Sequence, residues 1–126
     1  MDRHTLGRRA EWAALLLLLA KGYRLRARNW RGAGGELDLV MERRRVIVFV
    51  EVKARSSGLF GGAAAAVDST KRRHLVRTSS AYLSAHDLWH RPCRYDLVTL
   101  ERRPRVPYWR VHHIRHAFQP DLGRRL

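Results

Sequence analysis

One segment of this chain combines a strongly apolar strand pattern with two charges near the strand's end. Residues 46–53 read VIVFVEVK, and such a run of β-branched and aromatic residues is typical of a β-strand that is mostly buried. Glu51 and Lys53 lie two residues apart, so both side chains point to the same face of the strand. Because a buried charge is costly unless it is paired or bound to a metal, the segment predicts a functional site.

A second carboxylate lies inside an apolar strand pattern just upstream, where residues 35–40 read GELDLV. An arginine-rich hairpin is expected to join this strand to the next. With the loop at residues 43–44, Asp38 lies opposite Phe49; with the pairing shifted by two residues, it lies opposite Glu51. Both registers place Asp38, Glu51 and Lys53 on one face, whereas a shift by one residue would move Asp38 to the other face.

The balance of charges favours a polyanionic partner. The 126-residue chain has 26 Lys and Arg against 11 Asp and Glu, a formal net charge of +15. Nucleic acid is the simplest such partner, although an arginine-rich composition that raises every basic count would explain the same excess. Lys21, Lys53 and Lys71 are the only lysines, against 23 arginines. Because lysine, unlike arginine, shifts its pKa readily when buried, Lys53 is expected to be required as lysine.

The length of the chain indicates a single domain spanning residues 1–126, with about 1–5 and 119–126 flexible. Cys93 is the only cysteine, which excludes an intrachain disulfide and predicts a cytoplasmic protein.

The apolar run 12–20 is shorter than the roughly 20 residues of a membrane span and is not followed by a small-x-small cleavage site. It predicts a core helix in which Glu11 lies beside an apolar stripe that contains Leu15 and Leu18.

Periodicity and turn residues predict an α/β chain with the element order α-β-β-β-α-β-β. The second predicted helix has Asp68 or Ser69 as N-cap, and Leu75, Tyr82 and Leu83 form its buried side. The predicted helices span residues 6–21 and 69–86, and the predicted strands span residues 23–29, 36–41, 45–54, 94–100 and 108–114. A mobile loop is expected at residues 55–62.

Basic residues at two places are candidate contacts to nucleic-acid phosphates. The first strand alternates, which predicts one solvated face that is entirely arginine. Positive charge at the start of the second helix opposes the helix dipole and suggests a phosphate-facing role, although a solvated turn is an equal alternative. The full set of candidate contacts is Arg24, Arg26, Arg28, Arg31, Arg55, Lys71, Arg72 and Arg73.

The charges on the two strands suit metal-assisted hydrolysis of a phosphodiester. Mg²⁺ prefers a few carboxylates and keeps several waters, so Asp38 and Glu51 form a candidate ligand pair for Mg²⁺ or Mn²⁺. The carbonyl of Val52 would add an oxygen, and Lys53 would orient or deprotonate the attacking water or hold the phosphate. Glu11, if its helix packs on this face, would bind a second metal or hold water. The candidate catalytic residues are therefore Asp38, Glu51, Lys53 and Glu11.

These residues resemble the PD-(D/E)xK nuclease superfamily. The matching parts are Asp38, the run Glu51-Val52-Lys53 and a preceding helical Glu11, whereas Leu37 stands where the pattern has proline. The resemblance implies a restriction-endonuclease-like fold, with a mixed sheet of about five strands flanked by helices, and a metal-dependent nuclease site. The order of these pieces is similar to archaeal Holliday-junction resolvases, which implies DNA as partner, a branched substrate and a homodimer.

A closer resemblance covers most of the chain, from about residue 8 to about residue 118. The strings RAE, GY, RNWR, GELDL, VFVEVKARS, KRR and RYD are similar to the YraN-type family of small bacterial proteins. Many members of that family are uncharacterised. The resemblance therefore implies the fold and a nuclease site but no particular substrate.

Structural explanations remain open beside these functional ones. A structural ion-pair network at the sheet end would use the same Asp38, Glu51 and Lys53, and the chain would then be a non-catalytic nucleic-acid-binding or accessory protein. Glu36 is expected to be solvated. Trp30 would either cover the core or form part of a substrate lip.

Three histidines lie close together near the end of the chain, at positions 112, 113 and 116. No second ligand pair accompanies them at the spacing of a zinc site. His112 and His113 also point to opposite faces of the predicted strand. A structural or solvated role is therefore expected for this cluster.

Overall fold

Two helices and five strands follow one another in the predicted order α-β-β-β-α-β-β, in a computed structural model that describes residues 3–56, 68–102 and 109–118. The helices are α1 (Arg3–Ala20) and α2 (Ser69–Ala85), and the strands are β1 (Arg24–Gly32), β2 (Gly35–Arg43), β3 (Val46–Ser56), β4 (Cys93–Arg102) and β5 (Trp109–Phe118). The α/β class and the five-stranded mixed sheet are confirmed. Several elements are longer than predicted, and β2, β4 and β5 each exceed the predicted length by three residues.

The five strands lie in the sheet in chain order. Strand β3 pairs in parallel with β4, and the other neighbouring pairs are antiparallel. A parallel pair needs a crossover connection, and α2 lies in that connection between β3 and β4. Asp68 is the N-cap of α2, because its side chain accepts a hydrogen bond from the backbone N–H of Lys71.

The helices cover opposite faces of the sheet. Leu15 and Leu18 of α1 pack with Met41 and Val48 on one face. On the other face, the predicted buried side of α2 packs against β2, β3 and β4. Trp30 belongs to this second cluster, where its ring meets Tyr82 edge-on at 5.3 Å between centroids, so it covers the core.

The hairpin between β2 and β3 has the second of the two expected registers. Arg43 pairs with Val46, so the loop consists of Arg44 and Arg45, and the alternative with the loop at residues 43–44 is excluded. Both loop residues have positive φ, 51° and 71°. This is the backbone of a tight hairpin turn that usually contains Asn-Gly, and it forms here although the sequence has arginine at both positions.

The prediction that β1 has one basic face is wrong. The pairing of β1 with β2 shifts register between Leu25 and Ala27, and such a bulge changes which face the following side chains point to. Arg26 reaches Tyr82 on the α2 side, whereas the guanidinium of Arg28 lies 4.1 Å from the ring centroid of Trp12 on α1.

Some predictions lie outside the described residues. Most of the loop expected at residues 55–62 and all of residues 119–126 belong to this group. The described part of the chain contains no helix with the length and apolar character needed to cross a membrane.

Candidate metal and phosphate site

Strands β2 and β3 separate beyond the pair Leu39–Val50, and this separation forms a fork in the sheet. Beyond the fork, β2 remains paired with β1, and β3 remains paired with β4. Asp38 and Glu51 are the first residues past the last pair, one on each branch. The register predicted to bring these two carboxylates opposite each other is therefore the observed one.

Asp38 occupies the space between the two branches. Its Oδ2 accepts a hydrogen bond from the backbone N–H of Val52 at 2.8 Å, in place of the ladder bond that β2 no longer supplies. The N–H and C=O of a strand residue point to the same side, so the Val52 carbonyl also faces β2. The carboxylate and the carbonyl that were predicted as ligands thus lie on the same edge of β3.

The buried carboxylate of Glu51 destabilises the ionised form of Asp38. Glu51 is only 5% exposed. Burial and, next, the neighbouring charge of Glu51 raise the pKa of Asp38 to about 8, against a smaller opposing effect of the Val52 hydrogen bond. A carboxyl that resists ionisation beside a second carboxylate forms a site that a cation would stabilise.

Two lysines partly neutralise this pair. Lys53 Nζ lies 3.6 Å from Glu51 Oε2, as the shared face of the strand predicted. Lys71, from the first turn of α2, is closer, with its Nζ 2.9 Å from the same oxygen. Burial acts to lower the pKa of Lys71, but the hydrogen bond and charge of Glu51, helped by the charge of Asp38, raise it above its usual value.

Glu11 approaches the fork from the opposite side of the sheet. Its helix α1 packs on the face away from α2, so the condition set for Glu11, that its helix packs on the Glu51 face, is not met. Its Oε1 accepts a hydrogen bond from Asn29 Nδ2 at 3.0 Å. The charge of Glu11 is still close enough to contribute to the raised pKa of Asp38.

The predicted phosphate contacts on β1 divide into two kinds. Arg24 and Arg28 are exposed, and Arg31 is exposed with its Nη2 3.8 Å from Glu36 Oε1. Arg26 is partly buried and donates hydrogen bonds to Tyr82 and Glu42. It therefore holds the sheet to α2 rather than facing solvent as predicted.

The remaining predicted contacts lie on α2 and at the end of β3. Arg72 and Arg73 are exposed on the first turns of α2, where Arg72 lies over the ring of Phe118. Lys71 faces the fork. The side chain of Arg55 lies outside the described residues.

A second buried charge cluster, which sequence reasoning did not anticipate, joins β4 to β5. Asp96 accepts two hydrogen bonds from Arg94, at 2.8 Å each, and lies 2.7 Å from Nε2 of His113. Burial alone would raise the pKa of Asp96, but these partners hold it below its usual value. His113 therefore has the structural role that was expected for the histidine cluster.

The donors at the fork fit a hard divalent cation. In the described residues, no group of three or more His, Cys, Asp or Glu side chains is arranged to hold a metal ion. Two carboxylates and a carbonyl remain, which suits Mg²⁺ because it keeps several waters. Burial and the charge of Glu51 disfavour the ionised form of Asp38, and a nearby positive charge would favour it.

Comparison with known proteins identifies the family. The model of "Uncharacterised protein family UPF0102" matches residues 10–100. The chain belongs to this family. A UPF0102 protein of Xanthomonas oryzae pv. oryzae (strain PXO99A) is 45% identical over 120 residues, which cover 94% of this chain and 95% of the relative. Another, from Nitratidesulfovibrio vulgaris (strain DP4), is 41% identical over 116 residues, 92% of this chain and 85% of the relative.

The UPF0102 match confirms the expected membership of an uncharacterised bacterial family. It spans α1 to β4, and therefore includes both branches of the fork and Lys71. The family's description names no activity, so function must be argued from the site. The scarcity of lysine in the sequence also points to Lys71, because the chain has only three lysines against 23 arginines.

Proposed function

We propose that this UPF0102 protein is a Mg²⁺- or Mn²⁺-dependent endodeoxyribonuclease. The observation that carries the proposal is the fork, where Asp38 and Glu51 meet at a buried edge of the sheet with Lys53 on the same face. Both lysines of the site contact Glu51, whereas burial and the neighbouring charge of Glu51 raise the pKa of Asp38 to about 8. Such an arrangement suits binding of a divalent cation.

Each residue at the fork has a distinct part in this proposal. Asp38 and Glu51 would hold the metal, together with the Val52 carbonyl. The bound metal would supply charge neutralisation at the phosphate and a more acidic water. Lys53 would hold and orient the phosphate or the attacking water, and Glu11 would hold water near Asp38 from the other side of the sheet.

The substrate and the partners are also part of the proposal. The net charge of +15 supports a nucleic-acid partner. Exposed Arg24, Arg28, Arg31 and Arg73 would contact backbone phosphates without reading sequence. The resemblance to resolvases supports branched DNA as the substrate and a homodimer that acts in the cytoplasm. Sedimentation of the purified protein would test the homodimer, because it measures the number of chains per particle.

A cleavage assay with matched variants tests the proposal. Linear, nicked, flapped and four-way DNA are incubated with the protein and Mg²⁺ or Mn²⁺, and Glu51→Gln and Lys53→Met are compared with the natural sequence. The control is Asp87→Asn, an equal loss of one carboxylate at the other end of α2, where φ is 55° and asparagine is well tolerated. Metal-dependent cutting lost in both site variants but kept in Asp87→Asn supports the nuclease. Equal cutting by Glu51→Gln would show contamination and refute the assignment.

A non-catalytic nucleic-acid-binding or accessory role is the second candidate. The contact between Lys71 and Glu51 favours it, because an ammonium group already neutralises part of the carboxylate charge without a metal. This candidate predicts no anomalous density between Asp38 and Glu51 after crystals are soaked in millimolar Mn²⁺. It also predicts that Lys53→Met leaves the cellular phenotype unchanged.

A further inference from the structure

Lys71 lies where the carboxylate pair would otherwise attract a free cation. Its Nζ is 2.9 Å from Glu51 Oε2, closer than Lys53 Nζ at 3.6 Å, although Lys53 lies on the same strand as Glu51. The residue also stands in the first turn of α2, just after the N-cap Asp68, where the helix dipole disfavours a positive charge. This position costs free energy, and the contact with Glu51 offsets that cost.

The same side chain lines a cavity that opens beside the fork. The cavity has a volume of about 220 Å³, and its lining consists of Gly35, Glu36, Asp38, Lys71, His74, Leu75 and Thr78. Lys71 therefore borders the cavity and also contacts Glu51 through its ammonium group. The Lys71 side chain is 38% exposed, and its flexible four-carbon stem allows the ammonium group to exchange the carboxylate for a partner in the open cavity.

We propose that Lys71 is an internal counter-ion that leaves Glu51 for a DNA phosphate in this cavity, and thereby couples metal binding to substrate binding. The inference rests on the nuclease function proposed above. Without DNA, the ammonium competes with a metal for Glu51. When a phosphate draws the ammonium into the cavity, Glu51 is released and the metal binds more tightly.

Thermodynamic linkage makes this coupling reciprocal. If DNA raises the affinity for metal by some factor, then metal raises the affinity for DNA by the same factor, and such factors are typically about 5- to 150-fold. Removing the ammonium should tighten metal binding in the absence of DNA. It should also abolish the additional gain that DNA provides.

Binding of Mn²⁺, followed by the electron paramagnetic resonance signal of the free ion, tests the inference without any cleavage. The natural sequence is compared with Lys71→Met, which keeps a long side chain but loses the charge. Lys21→Met is the matched control, because it removes one positive charge from an exposed position that contacts His113 at 2.8 Å on the other face of the sheet. Lys71→Met is expected to bind Mn²⁺ about 10-fold more tightly, and Lys21→Met should bind like the natural sequence.

The second arm adds a DNA duplex, with the same DNA alone subtracted. DNA should tighten Mn²⁺ binding to the natural sequence and to Lys21→Met but not to Lys71→Met. Lys71→Arg should bind the metal more weakly than the natural sequence, because a guanidinium holds a carboxylate with two hydrogen bonds. This variant keeps the charge, so it answers the question even if Lys71→Met does not fold.

The outcomes separate this inference from the nuclease proposal. Equal Mn²⁺ affinity in the natural sequence, Lys71→Met and Lys71→Arg would overturn the counter-ion role while leaving a metal site in place. No Mn²⁺ binding in any variant would overturn both. The chain has only three lysines, so NMR of ¹³C-methylated lysines gives an independent readout. Added Mg²⁺ must shift the signal of Lys71 and leave the signal of Lys21 unchanged.

Discussion

Replacing Asp38 by asparagine should stabilise the metal-free protein, which is unusual for a change at a partly buried charged residue. The pKa of Asp38 is raised from its ordinary 3.8 to about 8, a difference of about four pH units. Each unit corresponds to about 1.4 kcal/mol, so ionising Asp38 costs at most about 6 kcal/mol of unfolding free energy. Side-chain relaxation and water entry at the fork reduce this limit, and we expect about 2 to 3 kcal/mol.

The pH dependence gives the sign of the effect. Between about pH 4 and about pH 8, the folded chain keeps a proton on Asp38 that the unfolded chain has lost. The unfolding free energy contributed by this group therefore falls as pH rises through that window. Asp38→Asn cannot ionise, and its side-chain oxygen can still accept the hydrogen bond from Val52 N–H, so the decline should disappear.

Urea unfolding in EDTA, followed by tryptophan fluorescence at about pH 6 and about pH 8, measures the difference. Asp38→Asn should exceed the natural sequence in stability at the higher pH, and Asp87→Asn should not. Added Mn²⁺ should reverse the order, because a ligand stabilises only the folded state that binds it. If Asp38→Asn unfolds more easily than the natural sequence in EDTA at about pH 8, the electrostatic reasoning about the fork is refuted.

Three further changes test other parts of the structure. Asp96→Asn should lower the unfolding free energy by about 3 to 5 kcal/mol at neutral pH, because it breaks a buried and paired charge cluster. Since the pKa of Asp96 is lowered, the natural sequence should lose this contribution as pH falls below about 4, whereas the variant should show no such loss. Arg44→Asn combined with Arg45→Gly should raise the unfolding free energy by about 1 kcal/mol, because both residues have positive φ. The urea midpoint should rise accordingly, and an unchanged midpoint would contradict the assigned turn. Gly35→Ala should destabilise the folded state by about 1 to 3 kcal/mol, because the added Cβ would lie 2.2 Å from Thr78 Oγ1. Calorimetry should show a lowered melting temperature, and an unchanged one would mean that the threonine side chain rotates away.

The positions of the site residues within their own elements could be predicted from the sequence, because they depend on local periodicity. Side chains alternate along a strand, so Glu51 and Lys53 had to share a face, and both hairpin registers that were considered add Asp38 to it. Helical spacing likewise placed Glu11 beside the buried Leu15 and Leu18, as observed. These relations involve residues close in the chain, for which backbone geometry leaves few alternatives.

Features that join distant elements could not be read in the same way. The β1 bulge that turned Arg26 inward and the cluster around Asp96 depend on how strands pair and pack. Such pairing is decided by burial summed over the whole sheet and has no local periodic signal. The face on which α1 packs, and with it the side from which Glu11 approaches, was decided in the same way.

By itself, the sequence determined that this chain brings two carboxylates and a lysine to one face of a buried hairpin. Tertiary structure decided what surrounds them. The ladder between β2 and β3 ends beside Asp38, and α2 places Lys71 against Glu51. The physical reason is that alternation along a strand follows from the covalent backbone, whereas the end of a ladder and a contact across 20 residues depend on packing of the completed sheet and helix.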